Sequence, residues 1–152
     1  MTASPTAAVL RLGTGVPDDP ERPVAIDPGI YEAVLVDFKT DYSGYFKKGI
    51  LRMRFRITEM GPCHGLIVLG WFNIEPTKNK GVVKAGWRSE VVRMYQNCFD
   101  TRLTRRDRIP IGRFKSHRLS VEVRTVSKDS HGEPLEMINR YSRVKRVLAI
   151  IE

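Results

Sequence analysis

Residues 51–57, Leu51-Arg-Met-Arg-Phe-Arg-Ile57, alternate apolar and cationic side chains without exception. A strand sends successive side chains to opposite faces. Leu51, Met53, Phe55 and Ile57 therefore belong to a core, and Arg52, Arg54 and Arg56 to the opposite face. Three like charges roughly 7 Å apart repel one another. A sheet that needed only solubility would mix signs there. The chemistry such a row serves is the neutralisation of an extended polyanion lying across it.

The neighbouring loops repeat this chemistry with rings added. Lys47 and Lys48 precede the row, beside Tyr42, Tyr45 and Phe46. Lys78, Lys80 and Lys84 follow in a later connection that ends in Trp87-Arg88. Cations that track phosphates and rings that stack on unpaired bases are the means of binding single-stranded nucleic acid. A duplex exposes no base face to such rings. Each ring also has a packing alternative. Tyr42, Tyr45 and Phe46 would bury area in a loop folded on itself. Trp87, two residues before a helix cap, would staple the helix entry to the core. Trp71 and Phe72 are adjacent on a strand, so one faces outward as a stacking platform, and the sequence leaves open which.

A second basic segment runs from Arg102 to Arg118. It carries Arg102, Arg105, Arg106, Arg108, Arg113, Lys115 and Arg118 against Asp107, a balance of +6. Repulsion within it calls for a counter-charge, either phosphate or an acidic protein. Arg105, Arg106 and Arg108 are its candidate contacts.

Catalytic constellations are missing from the sequence. His64, His117 and His131 are scattered, and the adjacent pair Cys63-His64 lacks the spacer of a chelate. No glycine-rich phosphate loop runs into Lys and Ser or Thr, and Gly13-Thr14-Gly15 reads as flexible backbone. No carboxylate pair is spaced for hydrolysis. The expectation is a protein that is not an enzyme and holds no metal or cofactor.

The elements that must position these residues follow from length and pattern. The 152 residues fit one domain with a sizeable core. At 41% hydrophobic and 28% charged, the composition is that of a globular chain. Net charge is +9. Residues 1–28 hold Arg11 and Arg22 against Asp18, Asp19, Glu21 and Asp27, a balance of −2, so the remainder carries +11. That excess favours nucleic acid or another anionic surface as partner. The two cysteines, Cys63 and Cys98, form no disulfide framework, and no apolar run reaches the roughly 20 residues of a membrane span. An intracellular, cytoplasmic protein is expected, nucleoid-associated if bacterial.

Residues 1–28 read as an irregular leader, and 29–152 as the folded domain. Strands are expected at Ile30–Lys39, Ile50–Thr58, Leu66–Ile74, Arg118–Val126 and Tyr141–Ile151, with a turn at Asp41–Lys48 and a basic connection at Thr101–Lys115. Between the third and fourth strands lies one helix. Ser89 is its N-cap and Glu90 suits its first turn, while Val91, Val92, Met94, Tyr95, Cys98 and Phe99 form one apolar stripe. Cys98 lies within the stripe as a packing residue. Three strands, a helix and two strands predict a mainly β fold, a five-stranded OB-type barrel with one helix between strands three and four, with a general β-barrel or an α+β sandwich as the alternatives that the same order allows.

The element order, the Gly29-x-Tyr31 opening, the Leu51–Ile57 strand and the Lys84-x-x-x-x-Ser89 approach to the helix resemble OB-fold single-stranded DNA-binding proteins, with the flavour of those carried by phages and mobile elements. The resemblance spans residues 29–151. It implies binding of the displaced strand in replication or recombination, on the outer face of strands two and three, through Arg52, Arg54, Arg56, Trp71 and the loop lysines. Unlike many bacterial members, this chain ends inside a strand rather than in an acidic tail, so recruitment of partners by such a tail is not expected. Two other readings stay open. One is an RNA-binding or ribonucleoprotein subunit. The other is an OB scaffold whose Arg102–Arg118 segment docks an acidic protein partner. A homo-oligomer is compatible with all three.

Overall fold

The computed structural model of the chain describes residues 24–43, 48–77, 79–128, 131–136 and 140–152. Most of the expected leader, residues 1–23, lies outside them, as do Tyr45, Phe46, Lys47 and Lys78. The described fold is mainly β. Its strands are β1 (Gly29–Ser43), β2 (Lys48–Ile57), β3 (Ile67–Ile74), β4 (Arg118–Val126) and β5 (Tyr141–Ile150). A helix, α1 (Glu90–Phe99), and a 3-10 helix (Ile111–Ser116) stand between β3 and β4. All five strands pair antiparallel in one sheet, in the order β3-β2-β1-β4-β5.

Strand alternation decides what is buried. Leu51, Met53, Phe55 and Ile57 are fully enclosed, and Leu119, Val121 and Val123 of β4 join them. β1 reaches Ser43 and β2 begins at Lys48, so Asp41, Tyr42, Ser43 and Lys48, expected in a turn, belong to strands. A bulge between Leu35 and Asp37 inserts one residue into β1. Before it Ala33 and Leu35 point inward, and after it Asp37 pairs with Arg54, Phe38 with Met53 and Lys39 with Arg52. The extra residue resets the parity. Without it Asp37 and Lys39 would point into the core.

The Ser89 hydroxyl caps α1 by accepting from the Val92 N–H at 3.2 Å. Val91, Val92, Met94 and Tyr95 are buried, whereas Cys98 and Phe99 are partly covered. The helix ends at Asp100 in the left-handed region (φ 47°). The basic connection contains more structure than its charge suggested. Ile109, Ile111 and Phe114 are core residues there, and the Ile109 N–H donates to the Val83 carbonyl at 2.9 Å. A run of cations hid an apolar spacing of three that winds a 3-10 turn.

The sheet curls until its two edge strands approach one another. A Cβ on Gly70 of β3 would stand 3.1 Å from the Val144 carbonyl oxygen and 3.2 Å from the Val144 Cβ of β5. Such contacts are tighter than most, so any larger residue here would have to push β5 back by a few tenths of an ångström. No hydrogen-bonded ladder joins β3 to β5, so the sheet is open. Beside the approach, Ser142 of β5 receives the incoming chain. Its N–H donates to the Val24 carbonyl at 2.7 Å, its hydroxyl accepts from the Ile26 N–H at 2.8 Å, and it donates to the Ile26 carbonyl at 3.1 Å. Part of the β5 edge is thereby covered.

Replacing Gly70 by Val is expected to lower stability by about 1–3 kcal/mol, the usual cost of forcing atoms into a packed site. Urea denaturation checks this, and an unchanged midpoint would show that the two edges separate freely.

Candidate nucleic-acid interface

The outer face of β2 and β3 forms a grid set by register. Arg52 stands opposite Trp71, Arg54 opposite Leu69 and Arg56 opposite Ile67. Phe72 is buried at 4% exposure, so Trp71 is the outward ring. That resolves the choice the sequence left open. Val68, Gly70, Phe72 and Ile74 take the inner parity.

The curl adds β5 to this face. The Tyr141 ring lies 6.0 Å from that of Trp71. The Arg143 guanidinium lies 4.8 Å from the Trp71 ring centroid, and its Nη2 donates to the Trp71 carbonyl at 3.2 Å. Burial pulls the Arg143 guanidinium below the usual arginine range. Arginine remains a cation in proteins nonetheless. Lys145 lines the same cleft as Trp71 and Arg143. Tyr141, Arg143 and Lys145 escaped the sequence reading as site residues. Their signal was present: Tyr141-Ser-Arg143-Val-Lys145 alternates like β2.

The arginine row is less bare than its sequence implies. Arg52 Nε lies 3.2 Å from the Asp41 carboxylate. Arg54 grips Asp37 with both arms of its fork, Nε donating to Oδ1 at 2.7 Å and Nη2 to Oδ2. That bidentate bond is the main reason why the Asp37 carboxyl titrates below its ordinary 3.8. Arg56 is exposed and has no carboxylate within ion-pair distance among the described residues. The repulsion expected of the row is thus largely relieved by carboxylates that the bulge in β1 turns outward.

The loop cations form a separate group at the end of β3. Lys84 Nζ lies 3.8 Å from one oxygen of Glu75, and Arg106 Nη1 donates to the other at 2.6 Å. The Gly81 N–H donates to the Thr40 hydroxyl at 2.9 Å, which ties the loop bearing exposed Lys80 to β1, and Lys48 is exposed at the start of β2. Arg105 makes a bidentate bond to Asp107 at 2.7 and 2.8 Å, which holds the Asp107 carboxyl down at about 2. Arg108 is exposed. Further along, Arg113 donates to the Tyr95 hydroxyl at 2.8 Å and lies 4.1 Å from the Phe99 ring centroid. Arg118 joins Glu32 and Glu152. The +6 segment is therefore not one unrelieved patch: Arg106 and Arg118 find carboxylates outside it, Arg105 is held by its own Asp107, and Arg113 bonds a neutral hydroxyl.

Trp87 is 50% exposed and is no core staple. Tyr42 is also exposed, at the end of β1. Burial pushes the Cys98 thiol up to about 11, in keeping with a packing role. Among the described residues no helix is long and apolar enough to cross a membrane. Comparison with known proteins finds no matching family model, no matching curated protein and no matching solved structure.

The Asp37–Arg54 bond links stability to pH. A carboxyl whose pKa is depressed by folding stabilises fully above its unfolded value, and the contribution is lost as pH falls through the folded value. Stability is expected to drop as pH falls below about 4. Asp37→Asn should flatten that acid limb. Urea midpoints measured between about pH 5 and 2.5 check it, and superimposable profiles for the two proteins would refute the linkage.

Proposed function

We propose that this chain binds single-stranded DNA on the outer face of β2, β3 and β5, without catalysing a reaction. The observation that carries the reading is Trp71. Its ring faces outward, next to Tyr141 and Arg143, on the face that bears Arg52, Arg54 and Arg56. Rings beside cations provide base stacking and phosphate contact together. The paired arginines remain compatible with a polyanion, because an exposed ion pair contributes little and exchanges partners readily. In this reading Asp37 and Asp41 compete with the strand for Arg54 and Arg52. Lys48, Lys80 and Lys84 extend the track beyond the end of β3.

An OB-type barrel is the fold this reading takes. Supporting it are the strand order, the helix between β3 and β4, and the approach of β3 to β5 at Gly70. OB barrels are often only partly closed. The biological role that fits is cover for strands displaced in replication or recombination, as in the phage and mobile-element proteins this sequence resembles. Docking of an acidic protein on Arg102–Arg118 is less well supported, since Arg105, Arg106, Arg113 and Arg118 already have partners within the fold.

Titration of intrinsic fluorescence with oligo-dT tests the proposal. If about five phosphates are contacted, log affinity should fall with log salt at a slope of about −3.5. Trp71→Ala should weaken binding roughly 5- to 150-fold, the worth of one stacked base. A parallel series with oligo-rU separates DNA from RNA preference. Salt-independent binding, or full affinity in the Trp71→Ala protein, would sink the proposal.

Asp37→Asn should do the opposite and tighten oligo-dT binding, by roughly 2- to 5-fold at low salt, because a surface ion pair of up to about 1 kcal/mol no longer holds Arg54. Weaker binding in this variant would mean that Asp37 positions Arg54 rather than competing for it.

A further inference from the structure

A cleft of about 260 Å³ opens where β3 and β5 meet the start of α1, lined by Trp71, Phe72, Asn73, Glu90, Arg143 and Lys145. It is smaller than the roughly 300–1,000 Å³ of sites that enclose drug-sized ligands. Its size suits one planar ring. Its walls differ in kind. Trp71 provides an aromatic surface, and Arg143 and Lys145 provide cations. The Arg143 Nε–H is buried without a hydrogen-bond partner. Glu90 provides the one carboxylate of the lining.

That carboxylate suits the first turn of α1 and favours the charged form of Arg143, but its sign is wrong for a phosphate ligand. Its contact with Arg146 is long, 3.8 Å to Oε2, beyond hydrogen-bond range. Both oxygens therefore keep capacity to accept. An ionised carboxylate cannot donate, and it repels phosphate. A nucleotide that enters must turn N–H groups toward Glu90. Unpaired bases are read in this way, along their Watson–Crick edges while stacked on a ring. Guanine is the base with two adjacent donors on that edge, the ring N1–H and the 2-amino group. Their spacing matches the two oxygens of a carboxylate. Adenine and cytosine offer one amino group, and thymine one ring N–H.

We infer that this cleft is a guanine pocket within the single-strand site: Trp71 stacks the base, Glu90 accepts from its N1–H and 2-amino groups, and Lys145 with Arg143 holds the adjoining phosphate. The inference rests on the single-strand reading of the outer face and adds to it one position that reads sequence. Elsewhere on the face, stacking and phosphate contact tolerate any base.

Competition binding checks it, using the full chain and dT oligomers that carry guanine, inosine, adenine or cytosine at one central position. The guanine oligomer should bind roughly 5- to 150-fold tighter than all-thymine, the worth of a bidentate base contact. Inosine keeps N1–H and lacks the 2-amino group, so it should lose most of that advantage on the unaltered protein. In Glu90→Gln the guanine-to-thymine ratio should fall to about one, with circular dichroism confirming that α1 is intact. Tight binding of all oligomers alike would overturn the pocket and leave the single-strand reading standing. So would a guanine preference that persists in inosine or in Glu90→Gln, since Glu90 would then not be the reader. Failure to bind any oligomer would overturn both.

Discussion

The approach of two sheet edges at one glycine governs the architecture. Gly70 has no side chain, so the backbone of β3 comes against Val144 of β5. The contribution of β5 to the outer face depends on that proximity. It brings Tyr141 and Arg143 to Trp71, although Arg143 and Trp71 are 72 residues apart in the chain. It also narrows the cleft beside Glu90. A bulky residue at position 70 would hold the edges apart and separate ring from cation. The contact is steric rather than hydrogen-bonded, since no ladder links the edges. Arg143 supplies a polar tie across the gap, through the Trp71 carbonyl.

Charge is handled by a different device, the bulge of β1. One inserted residue turns Asp37 and Lys39 outward and Phe38 inward. The same strand that fills the core with Ala33 and Leu35 can then supply a carboxylate to Arg54. The outer face is therefore a mixed-sign surface with a cationic excess. Arg56 lies at the far end from the loop lysines, opposite Ile67. A charged strand crossing this surface would exchange partners with the aspartates rather than occupy a bare cationic row.

Much of this was legible before the structure. The alternation of β2 and β4, the Ser89 cap and the apolar stripe of α1 are local patterns, and local patterns survive tertiary context well. β4 occupies its expected span, and β5 ends one residue early. Pairing at a distance was not legible. Glu75 meets Arg106 across 31 residues, and Glu32 meets Arg118 across 86. Counting charge along the Arg102–Arg118 segment could not foresee those partners, so its repulsion was overstated. Adjacent Trp71 and Phe72 were ambiguous because β3 is apolar on both faces for most of its length. The 3-10 turn was hidden because Ile111 and Phe114 stand among cations. The β5 cations were readable by the alternation already applied to β2, but only the curl shows that they share its face.

The sheet order has a consequence for how the chain reaches this state. β1 is the central strand, paired to β2 on one side and to β4 on the other. Its first partner arrives within a few residues, its second only at Arg118. During synthesis β1, β2 and β3 can form a meander while the other edge of β1 stays unpaired. Closing that edge must await β4, and the Val24–Ser142 tie must await β5, a loop closure of more than a hundred residues. Non-local pairing of this kind slows folding, because chain entropy is lost before contacts compensate. The hairpin half is thus the natural nucleus, and β4–β5 the late-arriving half that converts it into the native domain.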